Sequence, residues 1–212
     1  GSFDKNNNKK ILNNIPFADW NALLDPSTSD LTARVLDLMG KLGYDLSFPP
    51  AQRAIRFLKK EQEKNGSWFG RWGTNYVYGT WSVLTGLYSI KEDMTKDYVK
   101  KSASWLIDFQ NEDGGWGETC KSYWDTSLSA IGRSTASQTS WAVLGLLCTE
   151  ERHSDAVKKG IEYLIKTQKE DGTWDEAEFT GTGFPKIFYL RYHMYRSYFP
   201  LLALSKYRNM ID

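Results

Sequence analysis

The chain has 212 residues, a mass of 24.4 kDa and a formal net charge of +1, with a pI near 7.8. So balanced a charge argues against bulk electrostatic attraction to nucleic acid. No run of 18 apolar residues occurs, so nothing in the sequence should span a membrane. Aromatics make up 15% of the residues, with nine Trp and twelve Tyr, which excludes a disordered chain and demands a core, a pocket or an interface.

Residues 1–29 read as a leading loop. Gly1-Ser2, with no Met, has the look of a cloning remnant. Asp4 to Asn14 is polar, rich in Asn and Lys, and has no apolar face. From residue 30 to residue 212 the text is repetitive and helical. Thr32-Ala33-Arg34-Val35-Leu36 aligns with Thr80-Trp81-Ser82-Val83-Leu84 and with Ser140-Trp141-Ala142-Val143-Leu144. These stretches are continuously apolar and predict buried helices. A fourth, strongly aromatic buried helix is expected near Ile187 to Tyr207.

Between them lies a second kind of helix. Arg53 to Trp68, Lys101 to Trp116 and Lys159 to Trp174 align without gaps. Each opens with a basic and then a small residue, and continues with an aromatic and a Leu: Phe57-Leu58, Trp105-Leu106 and Tyr163-Leu164. Four residues after the Leu stands Gln62, Gln110 or Gln168. Four further on stands Gly66, Gly114 or Gly172, and two later Trp68, Trp116 or Trp174. The small residue, the Leu and the Gln fall four apart and share one helical face. Asn-Gly or Asp-Gly ends each helix, and the Trp folds back as an apolar plate. The Gln amide is placed to bond freed backbone groups or to stack on that plate. Because the turn repeats with the architecture, its expected role is structural.

Four buried and three outer helices in alternation predict an all-α fold, an α/α barrel or toroid of stacked helical hairpins. A closed barrel of this kind takes about a dozen helices, so seven form an incomplete arc with an exposed edge at each end. The expectation is a segment of a larger barrel.

Metal chemistry finds little support. Cys120 and Cys148 are too few for a disulfide scaffold and point to a reducing compartment. With His153 and His193 they have no zinc-ligand spacing, so no metal is expected. Glu118, Asp125 and Asp113 invite a glycosidase reading of paired carboxylates, but Asp113 sits in a repeat turn, where a structural role is expected.

The Gln-Gly-Trp turns resemble the QW motifs of class II triterpene cyclases, and the resemblance extends along essentially the whole chain. Ile15-Pro16-Phe17-Ala18-Asp19, Asp25-Pro26-Ser27 and Asp30-Leu31-Thr32-Ala33 resemble the segment that precedes the last repeats of bacterial squalene–hopene cyclases. Gly66-Ser67-Trp68-Phe69-Gly70-Arg71-Trp72-Gly73, Asn75-Tyr76-Val77-Tyr78-Gly79-Thr80, Gly114-Gly115-Trp116-Gly117-Glu118 and Ser137-Gln138-Thr139 are close to that family's text. Gly181-Thr182-Gly183-Phe184-Pro185, through Tyr189-Leu190 to Tyr195-Arg196 and Phe199-Pro200, resembles its C-terminus.

The resemblance implies a reaction in which a polyprene, squalene or the C35 tetraprenyl-β-curcumene, folds in a dry aromatic cavity. An acid protonates it, and rings close through carbocations without a cofactor. The family's acid is an Asp-x-Asp-Asp motif, which these 212 residues do not contain. The implied partners are therefore the polyprene and a missing N-terminal part of the same protein. The implied place is cytoplasmic, with the parent enzyme peripheral at the inner face of the membrane.

By resemblance, Trp72 and Tyr78 line the central cavity, Phe184 and Phe188 stabilise mid-cascade cations, and Tyr192 and Tyr195 shape the cavity near the acid. Asp30 and Arg34 become partners of the missing acid motif, and Phe17 and Ala18 form a channel constriction. Read without the resemblance, Asp30 is an N-cap, Trp72 and Tyr78 pack a Gly-rich loop, Phe188, Tyr192 and Tyr195 recur at helical spacing, which by itself means core, and Phe17 and Ala18 form a buried turn. Trp20 stands where the family commonly has Phe, and Phe3 where it often has Tyr. Two other classes compete: a protein prenyltransferase β-type subunit, which would need zinc ligands, and a non-enzymatic toroid binding glycans or proteins through exposed Trp.

Overall fold

The computed structural model describes residues 27–211. Among these residues seven α-helices run in the expected order: α1 Ser29–Lys41, α2 Pro49–Lys60, α3 Tyr76–Ser89, α4 Asp97–Asp108, α5 Ala136–Leu146, α6 Asp155–Thr167 and α7 Tyr195–Ile211. α1, α3, α5 and α7 pack one against the next as an inner layer. α2, α4 and α6 form the outer layer. Each is amphipathic, burying one stripe against the inner layer: Ala51, Ile55 and Leu58 in α2, Val99, Ala103 and Leu106 in α4, Val157, Ile161 and Leu164 in α6.

The middle inner helices have neighbours on both sides. α5 is buried along its whole length, and α3 at nearly every position. Among the described residues the end helices have one inner-layer neighbour each. α1 leaves Val35 and Leu38 exposed, and α7 leaves Tyr198, Leu201 and Leu202 exposed. The expectation that all four inner helices are buried therefore holds for the middle pair and fails at the two edges, as an open arc requires.

All three turns close alike. The Gly has a positive φ (101° at Gly66, 85° at Gly114, 80° at Gly172), a conformation that favours glycine. The Gln side chain donates to the carbonyl of that Gly at 2.8–3.0 Å. The Trp indole N–H donates to the carbonyl of the Leu ten residues back, at 2.7 Å for Trp68 to Leu58 and Trp116 to Leu106, and 2.8 Å for Trp174 to Leu164. These Leu carbonyls lie in the last turn of the outer helix, where no intrahelical partner exists. The Trp is thus a C-cap as well as an apolar plate.

The Gln also joins repeats. Gln62 donates to Tyr98 O at 2.8 Å and Gln110 to Ala156 O at 2.9 Å, each at the start of the next outer helix. Gln168 bonds only within its own turn and is exposed, because no further outer helix follows it among the described residues.

One expected element, the fourth inner helix, begins later than Ile187. The aromatic stretch after residue 180 is not helical until Tyr195. Gly181–Phe184 (β1) and Phe188–Leu190 (β2) instead form an antiparallel hairpin. Pro185 and Lys186 occupy its turn, Lys186 with φ 72°, and Ile187 N donates to Phe184 O at 3.0 Å, the pattern of a type II turn. The helical spacing of Phe188, Tyr192 and Tyr195 is therefore coincidental: Phe188 is on a strand, Tyr192 precedes the helix, and Tyr195 opens it.

Candidate active site

Asp30, Trp72, Phe184 and Phe188 come together where the first outer-layer turn leads into α3. After Trp68 the chain enters the segment Gly70 to Asn75, which carries Trp72, and then α3. Tyr78 belongs to that helix and not to the Gly-rich loop in which packing alone would place it.

Side chains and backbone from several elements hold this segment. Asp30, 1% exposed in the first turn of α1, accepts from Arg71 N and Trp72 N through Oδ2, both at 2.9 Å, and from Leu31 N through Oδ1. Its carboxylate thus joins α1 to the Trp72 segment. Thr28, which occupies the N-cap position, makes no side-chain cap bond. Gly70 N donates to Asn75 Oδ1, Thr74 N to Thr180 O, and Gln138 Nε2 to Thr74 O. Tyr123 donates its hydroxyl toward Gly70 O and Gly73 O, at 2.7 and 2.8 Å.

Glu118 closes the segment from below. It lies two residues past the turn Trp116 and accepts from Asn75 N at 3.1 Å and Val77 N at 2.9 Å, which caps α3. Glu176, two residues past Trp174, does the same for α5 through Ser137 N and Oγ. Burial raises both carboxyls above the ordinary Glu value, against the lowering effect of these donors. The Trp-x-Glu extension of the repeat stands in the sequence twice and supplies these caps. Asp113 and Asp125 have structural roles: Asp113 accepts from Gly115 N in its turn and from Ser134 Oγ, and Asp125 caps a short 3-10 turn by accepting from Ser127 N.

The aromatic residues form two groups. In the first, the Arg71 guanidinium lies 4.7 Å from the Trp72 ring centre and 5.7 Å from that of Phe184, and Phe184 meets Phe188 at 5.6 Å. The hairpin glycines make room: a Cβ on Gly183 would lie 2.0 Å from the Phe188 ring, and one on Gly181 would lie 2.4 Å from the Tyr192 ring.

The second group lies on the inner helices. Trp81 and Trp141 stack at 6.0 Å with planes 10° apart. Tyr78 abuts both at 5.5 and 5.0 Å, Phe199 meets both edge-on at 5.3 and 5.4 Å, and Tyr195 joins Trp141 at 5.9 Å. Tyr192 packs on Tyr195 at 4.7 Å. Arg34 sits 4.9 Å over the Trp81 ring. Burial pushes the Tyr78 hydroxyl well above the ordinary phenol value, and the Asp30 charge adds to the effect; burial does the same at Tyr195. Both are neutral phenols at any physiological pH. A cleft of about 250 Å³ between the inner helices is lined by Arg34, Asp37, Trp81, Phe199 and Lys206, among others.

Trp81, Trp141 and Phe199 were not among the sequence-predicted site residues, although the two Trp stood in the aligned inner stretches. The predicted Phe17 and Ala18 lie outside the described residues. Gln62, Gln110, Gln168 and their Trp partners stay in the outer turns and touch neither aromatic group through any ring contact. What the site offers chemically is aromatic faces beside two guanidinium groups, Arg71 and the more exposed Arg34.

Comparison with known proteins places the whole chain. The family model described as the squalene-hopene cyclase C-terminal domain matches residues 1–209. The squalene–hopene cyclase of Zymomonas mobilis is 52% identical over 99% of this chain and 32% of its own length. That of Alicyclobacillus acidocaldarius is 46% identical over 100% of this chain and 34% of its own. The dammaradiene synthase of Dryopteris crassirhizoma is 42% identical over 100% and 34%. The chain thus spans about a third of these relatives. Among solved structures, a protein from Actinoplanes superposes with a TM-score of 0.66 at 16% identity, covering 94% of this chain and 61% of that one. The ent-copalyl diphosphate synthase of Streptomyces platensis superposes at 0.62 and 19%, covering 87% and 34%. These two likenesses concern the fold.

Proposed function

The chain belongs to the squalene–hopene cyclase C-terminal domain family, and on that premise we propose that it is the C-terminal third of a class II terpene cyclase. The parent enzyme closes the rings of a linear or partly cyclised polyprene, squalene or tetraprenyl-β-curcumene, by a proton-initiated carbocation cascade. The observation that carries this reading is the continuous aromatic group of Tyr78, Trp81, Trp141, Tyr195 and Phe199 on the inner helices. Aromatic faces attract a cation through their quadrupole and offer no lone pair to trap it. Neutral phenols serve the same end, since a phenolate would capture the cation.

Trp72, Phe184 and Phe188, the first group, supply further rings, and Tyr192 extends the inner-helix group. Arg34 is an electrostatic partner for carboxyls of the absent acid motif, since its charge is permanent. Asp30 acts on that motif through position: its carboxylate fixes the Trp72 segment and sits one helical turn from Arg34. Phe17 and Ala18 are assigned to the channel on the resemblance alone. No described helix is long and apolar enough to cross a membrane. A substrate dissolved in lipid accounts for placing the parent enzyme at the inner membrane face, with docking surface supplied by the rest of its chain.

The test is product analysis after incubation with squalene and with tetraprenyl-β-curcumene. The full-length parent should yield cyclised product from one of them. The 212-residue chain alone should yield none, because it has no Asp-x-Asp-Asp acid. A parent that cyclises neither substrate contradicts the reading.

A further inference from the structure

We infer that Tyr123 is a positioning residue for the cascade: it holds the Trp72 segment and the Phe188 strand in register, so that the two parts of the first aromatic group act as one wall. The inference rests on the cyclase reading above and adds a residue to it.

Tyr123 closes a 3-10 turn, Cys120–Tyr123, that follows the second Trp turn. It is 5% exposed. Its single hydroxyl hydrogen faces two carbonyls, Gly70 O at 2.7 Å and Gly73 O at 2.8 Å. Those carbonyls bracket Arg71 and Trp72. Asp30 grips the N–H groups between them, so the carboxylate and the phenol hold the segment from opposite polarities of the backbone.

The ring makes the second link. It stacks on Tyr189 at 5.7 Å with planes 28° apart, and Tyr189 is the strand neighbour of Phe188. It also meets Phe69 edge-on at 5.6 Å, immediately before the segment. One side chain therefore touches the loop that carries Trp72 and the strand that carries Phe188. Burial, with Glu118 and Asp30 nearby, pushes its hydroxyl well above the ordinary phenol value, so it remains a donor throughout the working pH range. Tyr123 does not belong to either aromatic group. It acts on the substrate through the rings it places.

The experiment compares Tyr123→Phe with Tyr163→Phe. The control also removes one hydroxyl-to-carbonyl bond, from Tyr163 to Ser134 O at 3.0 Å, but on the outer helix α6. Each variant should lower Tm by about 2–4 °C, as the loss of one buried hydrogen bond does in a domain of this size. In the full-length parent, Tyr123→Phe should raise the share of incompletely cyclised product at least threefold, with KM little changed, while Tyr163→Phe leaves the product mixture as it was. In the 212-residue chain, amide exchange at residues 70–75 should quicken at least fivefold in Tyr123→Phe and not in Tyr163→Phe.

If the wild-type parent cyclises a polyprene and Tyr123→Phe gives the same product mixture, the inference is overturned. If the wild-type parent cyclises nothing, the cyclase reading fails. Amide exchange then decides the link on its own: faster exchange at 70–75 upholds it, and unchanged exchange overturns it.

Discussion

Two sets of tryptophans are buried alike and bonded differently. The turn residues Trp68, Trp116 and Trp174 are 0–3% exposed, and each donates its indole N–H to a helix-end carbonyl. The inner residues Trp81 and Trp141 are 3% and 0% exposed, and their indole N–H groups have no hydrogen-bond partner. A buried donor left unpaired costs about 1–3 kcal/mol. The outer turns spend their aromatics on holding the fold. The inner pair stacks face to face, and its indole N–H groups lack a protein partner, as does that of Trp105 on the outer helix α4. That contrast separates tryptophans that cap the outer helices from tryptophans that present stacked ring faces on the inner ones.

The contrast predicts an order of stability losses, read by urea or thermal unfolding. Trp116→Ala should be the largest, about 3–5 kcal/mol, since it opens a cavity and strips a helix carbonyl of its partner. Gln110→Ala should cost about 1–2 kcal/mol and Gln168→Ala no more than about 0.5 kcal/mol, because Gln110 spans to Ala156 O while Gln168 bonds only within its exposed turn. Equal losses would show that the bond between repeats contributes nothing.

Smallest, and dependent on pH, is the effect of Glu118→Gln. The Glu118 carboxyl is raised from its ordinary 4.5 by burial, so the folded protein holds its proton more tightly than the unfolded chain does. The stability this contributes is full below 4.5 and is lost as pH rises through the raised value. A Gln keeps an acceptor for Asn75 N and Val77 N and does not ionise. The variant should therefore gain on the wild type as pH climbs above 4.5, in paired unfolding curves. A gap that is flat with pH would contradict a buried, raised carboxyl.

The arc and its turns were legible in the sequence because identical text at identical spacing forces identical local structure. Leu, Gln, Gly and Trp have local jobs that recur in every copy, and only the bond from Gln62 and Gln110 to the next outer helix depends on stacking. Phe188, Tyr192 and Tyr195 misled because a spacing of three to four fits a helix, whereas Gly181, Gly183 and the Pro185-Lys186 turn decided for a hairpin. The turn chemistry overrode the periodicity. Asp30 showed a capping signal, and its reach to Arg71 N and Trp72 N depends on a contact 41 and 42 residues away that no local pattern encodes. The Trp-x-Glu pairs at Glu118 and Glu176 were readable, but their role as caps for the preceding inner helices emerges only when the repeats stack. Tyr123 left no sequence signal, since its partners are backbone carbonyls.

The division between outer turns and inner face is tested most directly by one pair of variants in the full-length parent, Trp116→Phe and Trp141→Phe, each scored for stability and for product mixture. Trp116→Phe should cost about 2–4 kcal/mol, because Leu106 O loses its donor, and should leave the products unchanged at temperatures where the protein stays folded. Trp141→Phe breaks no hydrogen bond and removes an unpaired donor, so it should cost no more than about 1.5 kcal/mol while shifting the mixture toward incompletely cyclised products. The reverse result, products altered by Trp116→Phe and untouched by Trp141→Phe, would contradict the account.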